Sequence, residues 1–139
     1  MKPGLFLSAA VLFACLGSVH AEGVRKVIQF PKGKSAATLA ASVVRGDSDR
    51  YTLVAKAGQT MTVGISSKEE NAVFTIYQPG YSSVVEDGVA MIQGPTLEGA
   101  GEGEDATTWN GRLPASGTYL IEVGGTRGNA SYKLTVSIK

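Results

Sequence analysis

Tyr119, Ile121 and Val123 recur at every second residue, and so do Tyr132, Leu134, Val136 and Ile138. A period of two places such side chains on one face of a strand, whereas a helix needs apolar residues three and four apart. The same alternation runs through Tyr51, Leu53 and Ala55, set against Thr52, Val54 and Lys56, and through Met61, Val63 and Ile65, set against Thr60, Thr62 and Gly64. With Ala57-Gly58-Gln59 as the turn, these two runs predict a half-buried antiparallel hairpin. Earlier, Val24, Lys26, Ile28 and Phe30 share one face of a strand ended by Pro31-Lys32-Gly33. Thr38 to Arg45 follows and turns at Gly46-Asp47-Ser48-Asp49, while Val73 to Gln78, apolar on both sides, fits a central strand closed by Pro79-Gly80. Regular structure returns at Thr107 to Arg112. Seven or eight short strands with turns at close intervals predict an all-β chain folded as a single antiparallel β-sandwich, and no internal repeat argues for a solenoid.

Tyr81 to Ala106 is the least regular stretch. It offers a short strand at Val89 to Ile92, then the run Glu98-Gly99-Ala100-Gly101-Glu102-Gly103-Glu104-Asp105. Such a density of Gly and Glu buries little surface, which predicts a mobile loop. The run lacks the ligand spacing of a calcium loop, and steering of a basic partner is the alternative use for its charge.

Ahead of the strands, Lys2 followed by the apolar Gly4 to Leu16 and by Val19-His20-Ala21 predicts an export signal over 1–21, cleaved before Glu22. The apolar run is too short for a permanent membrane span, which takes about 20 residues. A rival reading attaches lipid at Cys15, because Leu12-Phe13-Ala14-Cys15 loosely resembles a bacterial lipobox. The mature chain is then residues 22–139, one periplasmic domain. Cys15 and His20 are the chain's only Cys and His, and both leave with the signal. What remains has no thiol nucleophile, no Ser-His or Cys-His pair and none of the usual zinc ligands, so no cofactor or metal is expected and binding is favoured over catalysis. The 13 Lys and Arg residues balance the 12 Asp and Glu residues once Lys2 is removed, which leaves no basic field for nucleic acid. The charges are unevenly placed: Glu86, Asp87, Glu98, Glu102, Glu104 and Asp105 crowd the middle, and Arg112, Arg127, Lys133 and Lys139 lie towards the end.

Two loops stand out. Leu113-Pro114-Ala115-Ser116-Gly117-Thr118-Tyr119 reads as a tight turn with Pro114 presetting φ and Gly117 free to take a positive φ, in which case Tyr119 is the first core residue of its strand. It also reads as a rigid loop presenting the hydroxyls of Ser116 and Tyr119 to acceptors in a cleft. Gly124-Gly125-Thr126-Arg127-Gly128-Asn129 reads either as a glycine-rich hairpin loop or as a mount for Arg127, whose guanidinium suits a carboxylate. The strand from Tyr119 to Val123 separates the two loops and sets them towards opposite ends of the sandwich. Trp109 is either core or an aromatic contact for sugar. Glu102 and Asp105 are paired carboxylates in a segment too rich in glycine to hold a catalytic geometry.

Lys32-Gly33-Lys34-Ser35-Ala36, Asp49-Arg50-Tyr51, Ala55-Lys56-Ala57-Gly58-Gln59, Leu113 to Tyr119, Thr126-Arg127 and Tyr132-Lys133-Leu134-Thr135-Val136, in that order, resemble the periplasmic lysozyme inhibitors acting on invertebrate-type and goose-type lysozymes. The resemblance covers most of the mature chain, with the acidic middle as its divergent part. It implies a β-sandwich whose Ser-Gly-x-Tyr loop, here Ser116, Gly117 and Tyr119, enters the lysozyme cleft, with Thr126 and Arg127 as a second matched motif. Lysozyme is the implied partner, a homodimer is left open, and protection of bacterial peptidoglycan is the implied role. The stretch Thr126 to Tyr132 favours invertebrate-type lysozyme as the target, with goose-type lysozyme as the alternative. Ala-Gly-Gln turns also occur in pre-peptidase accessory domains, so a glycan-binding module is the rival from another class.

Overall fold

The computed structural model describes residues 23–139, so the export signal, its cleavage site and Cys15 fall outside the described residues. The strands run in chain order as β1 (Arg25–Val27), β2 (Ala36–Val43), β3 (Asp49–Ala55), β4 (Thr60–Ser67), β5 (Ala72–Tyr77), β6 (Ser82–Glu86), β7 (Val89–Gln93), β8 (Thr108–Arg112), β9 (Gly117–Gly125) and β10 (Ala130–Ile138). One four-stranded sheet has the order β1-β3-β9-β5, and the facing sheet has the order β2-β10-β4-β8. The expected all-β sandwich is present, with β6 and β7 as an additional hairpin. The ladders of both four-stranded sheets are antiparallel except one, the short parallel pairing of β1 with β3.

Alternation places the inner rows where the sequence predicts them. Tyr51, Leu53, Ile121 and Val123 of the first sheet meet Met61, Val63, Leu134 and Val136 of the second, each no more than 1 % exposed. Packing of two such faces supplies most of the stabilisation, at roughly 25 cal/mol per Å² of apolar surface removed from water.

The expected hairpin between the runs at 51–56 and 60–65 does not form. β3 pairs with β1 and β9, β4 pairs with β10 and β8, and the Lys56–Gln59 turn carries the chain from one sheet to the other. The two inner rows face each other across the core instead of lying side by side. Alternation specifies which side chains are buried, and both arrangements satisfy it equally. The junction between β9 and β10 is likewise an arch between sheets, not a hairpin.

The acidic run is also not a free loop. Leu97 is 3 % exposed and Ala100 is fully buried. Leu97 N donates to Ile76 O, while Ile76 N donates to Ala100 O and Phe74 N to Ala106 O, so the run covers the outer edge of β5. β5 is therefore an outer strand of its sheet, not the central strand predicted for 73–78. Two carboxylates of the run are engaged: Tyr77 OH donates to Glu102 Oε1 at 2.6 Å, and Gly101 N donates to Glu104 Oε2 at 2.7 Å. Trp109, half-buried on β8, donates its indole N–H to Glu98 O at 2.8 Å. Two small apolar anchors within a polar run, together with an unsatisfied strand edge, order a segment whose composition alone predicts disorder.

The β6–β7 hairpin turns at Asp87 and Gly88, both at positive φ (50° and 77°), as a two-residue primed turn requires. It lies on the outer face of the first sheet, where Ile92 packs with Tyr77 and Leu120. Beneath it, Arg50 donates from Nη2 to Ala90 O and pairs through Nε with Glu122 Oε2 at 2.8 Å.

A buried polar clamp joins the two sheets. Asp49, fully buried at the start of β3, accepts from Val24 N through Oδ1 at 2.7 Å and from Tyr132 OH through Oδ2 at 2.7 Å. Tyr132 on β10 also shares a 2.6 Å hydrogen bond with Tyr51 OH of β3. Every polar atom of the clamp has a partner, as burial demands. Burial raises the pKa of Tyr132, helped by its bonds to Tyr51 and Asp49, and burial likewise raises that of Tyr51. Burial and the bond to Glu102 raise that of Tyr77.

A phenol whose folded pKa lies above its unfolded value contributes stability that is fully present below the unfolded pKa. That contribution is lost as pH rises from about 10 towards the folded pKa, by about 1.4 kcal/mol per pH unit per group. Urea unfolding is accordingly expected to show a midpoint that does not respond to these tyrosines below pH 10 and falls steeply above it. Tyr132→Phe, which strips both Asp49 and Tyr51 of a partner, is expected to cost about 1–3 kcal/mol at neutral pH and to shallow the alkaline fall. An unchanged midpoint in that variant would show the clamp to be energetically idle.

Candidate functional site

Ser116 stands at one end of the sandwich, in the link between β8 and β9. The link is short because Leu113 is buried at one side and Tyr119 at the other. Leu113 N donates to Gln59 O and Gly58 N donates to Leu113 O, which ties the link to the turn between β3 and β4. Ala57 N donates to Ser116 Oγ at 2.9 Å. The hydroxyl thus serves as an acceptor inside the molecule, while its own proton stays available to an outside acceptor. Ser116 is exposed.

Tyr119 is not a surface donor. It is fully buried, and its hydroxyl donates to Ala115 O at 2.6 Å and lies 3.3 Å from Ala115 N. This corrects the expectation that both hydroxyls face outward: the phenol braces the backbone next to Ser116 from within. Gly117 adopts φ +143°, and a Cβ there would approach Pro79 Cβ to 2.9 Å, so both conformation and space call for glycine. Pro79, at the end of the turn after β5, is a contact that no local motif announces.

Thr126 and Arg127 occupy the arch between β9 and β10, and both are exposed. Arg127 Nη2 donates to Glu69 O at 2.8 Å. Asn71, 2 % exposed, holds the arch: its Nδ2 donates to Arg127 O and Asn129 O at 2.9 and 3.0 Å, and its backbone O accepts from Thr126 N at 2.9 Å. Sequence reasoning misses Asn71 because an Asn between a charged turn and a strand reads as an ordinary turn residue.

The two loops are not brought together. The nine residues of β9 lie between them, and a strand advances about 3.3 Å per residue, so Ser116 and Thr126 sit roughly 30 Å apart at opposite ends. One cleft entered end-on by Ser116 leaves Arg127 on the far side. Among the described residues, no group of three His, Cys, Asp or Glu side chains gathers as a metal site.

Gly117→Ala is expected to destabilise the fold by roughly 1–3 kcal/mol, through strain at positive φ and contact with Pro79. Asn71→Ala is expected to cost about 1–3 kcal/mol and to speed amide exchange at 126–129 while leaving exchange at 115–117 unchanged. Equal acceleration at both loops would show that Asn71 acts on the whole fold and not on the arch.

No family model matches the chain. An inhibitor of g-type lysozyme from Escherichia coli strain K12 is 32 % identical over an alignment 147 positions long, gaps included, that spans the whole of both chains. Among solved structures, the periplasmic inhibitor of g-type lysozyme from Aeromonas hydrophila is 38 % identical with a TM-score of 0.61, over 84 % of this chain and 98 % of that one. A mutant of the Escherichia coli inhibitor is 28 % identical with a TM-score of 0.60, over 84 % and 99 %. These relatives act on g-type, that is goose-type, lysozyme, which overturns the preference for the invertebrate type. That preference rested on 126–132, an exposed arch and the start of a strand, where length and charge vary at little structural cost. With a relative 32 % identical from end to end, the chain belongs to the family of periplasmic inhibitors of g-type lysozyme.

Proposed function

We propose that residues 22–139, released by cleavage after Ala21, form a proteinaceous inhibitor of goose-type lysozyme that shields peptidoglycan in the periplasm and catalyses no reaction of its own. The full-length identity to an inhibitor of g-type lysozyme carries this reading. Ser116 and Gly117 are the loop that enters the cleft. Lysozymes cleave glycan with carboxyl groups beside the scissile bond, and the free Ser116 proton suits such an acceptor. Three internal features support the loop as preorganised: the Ala57 N–H on Ser116 Oγ, the Tyr119 hydroxyl on Ala115, and the Gly117 contact with Pro79. A loop already in its bound shape loses little conformational freedom on docking. Tyr119 is a positioning residue in this mechanism. Thr126 and Arg127, at the far end, act outside the cleft as a separate contact.

The test is lysis of bacterial cell walls by goose-type, invertebrate-type and chicken-type lysozymes in the presence of the mature chain. Inhibition of the goose-type enzyme well below micromolar is expected, and no inhibition of it at about 10 µM would overturn the proposal. Ser116→Ala is expected to weaken inhibition about ten-fold with a melting temperature close to that of the parent. Full potency in that variant would remove Ser116 from the interface.

A further inference from the structure

The end of the sandwich that carries Ser116 is electrically one-sided. Four loops meet there: 31–35, 56–59, 78–81 and 113–116. They and the adjoining strand ends hold Lys32, Lys34, Lys56, Arg112 and Lys139, and no Asp or Glu side chain. Backbone and turn contacts place these segments at the same end of the sandwich. Ala57, next to Lys56, bonds Ser116 Oγ; the Arg112 guanidinium lies against the turn at Gly58; Lys139 pairs through its backbone with Thr60; Ser35, next to Lys34, accepts from Ile138 N. All five cations are exposed, and none has an ion-pair partner among the described residues, where Arg50 pairs with Glu122. One carboxylate beside this end, that of Glu102, is engaged by the Tyr77 hydroxyl at 2.6 Å. The opposite end is mixed, with Asp47, Glu69, Glu70, Glu86 and Asp87 among Arg25, Arg45, Lys68 and Arg127. A chain whose charges nearly cancel is therefore more positive at the Ser116 end than at the other.

We propose that this cationic collar is a second working part of the inhibitor: it orients the molecule, Ser116 end first, towards a carboxylate-lined cleft in its protein partner and so sets the rate of association. The inference rests on the proposed inhibition of goose-type lysozyme. Exposed charges around a docking loop act over about a Debye length, roughly 8 Å at physiological ionic strength, and they raise encounter rates more than they slow dissociation. The hydroxyl of Ser116 holds the bound complex, and the collar brings it there. Of the acidic residues that crowd the middle of the sequence, Glu86 and Asp87 are carried to the other end by the β6–β7 hairpin, which Arg50 holds through Ala90 O.

The experiment compares the parent, the double variant Lys56→Glu/Lys139→Glu and the control Lys68→Glu at the opposite end. Arg112 is left intact because it packs on the Gly58 turn. Association and dissociation rates with goose-type lysozyme are followed from low to high ionic strength. The double variant is expected to associate at least about ten-fold more slowly at low salt, to converge with the parent at high salt, and to dissociate within about two-fold of it. Lys68→Glu is expected to match the parent. Equal association rates and salt slopes for the parent and the double variant would overturn the collar while leaving inhibition itself standing. A parent that does not bind lysozyme defeats the proposed function, and the collar is then decided by retention on a sulfonate cation exchanger at pH 8. Selective loss of retention in the double variant supports a cationic end, and equal loss in Lys68→Glu overturns it.

Discussion

Residues 22–139 contain no cysteine, so no disulfide fastens one sheet to the other and side-chain contact must do it. Apolar packing alone resists separation but specifies position weakly. The clamp of Asp49, Tyr132 and Tyr51 adds direction, because hydrogen bonds between β3 and β10 are made at one alignment of the sheets only. A half-made buried network is worse than none, and this one is complete. It also reaches beyond the two sheets. The second oxygen of Asp49 takes the N–H of Val24, so the same carboxylate that aligns the sheets seats the chain ahead of β1. Everything carried on the strand ends inherits its geometry from that alignment.

The Ser116 loop illustrates the inheritance. β9 pairs with β3 and β5 along its length, and it delivers Tyr119 into the core at one end and the arch at 126–129 at the other. The buried Tyr119 hydroxyl fixes Ala115, and the turn after β3 fixes Ser116, so the exposed tip is stiff because its supports lie in three different elements. Stiffness of this kind favours binding over turnover: a loop with one shape enters a matching cleft without reordering. The arch is stiffened independently by Asn71, and the length of β9 keeps the two loops mechanically and spatially separate.

Much of this is legible in residues 23–139, the turn of the β6–β7 hairpin included. Asp87-Gly88 between Val84-Val85-Glu86 and Val89-Ala90-Met91 is a strong two-residue hairpin signal, yet only the second strand stands out by hydropathy, because Ser82, Ser83 and Glu86 dilute the first. The acidic run misleads for the opposite reason. Its composition is that of a disordered segment, and its order comes from Leu97 and Ala100 meeting an edge of β5 that the sequence around them does not reveal. The choice between lysozyme classes is not legible in 126–132, since an exposed arch varies in length and charge at little structural cost.

By itself the sequence determined the inner rows, the all-β class, the order of family motifs and the lack of any Cys or His after residue 20. These are properties of residue type and of spacing along the chain, and alternation reports burial directly because successive side chains of a strand point to opposite faces. Tertiary structure decided which strand lies beside which, that β3 and β4 face each other across the core, that the Tyr119 hydroxyl is spent inside the molecule, and that cations from four separated segments share the end that carries Ser116. Those outcomes depend on contacts between residues far apart in the chain. A local period is equally content with either partner, and only the packing of two complete faces, aligned by one buried carboxylate, removes the choice.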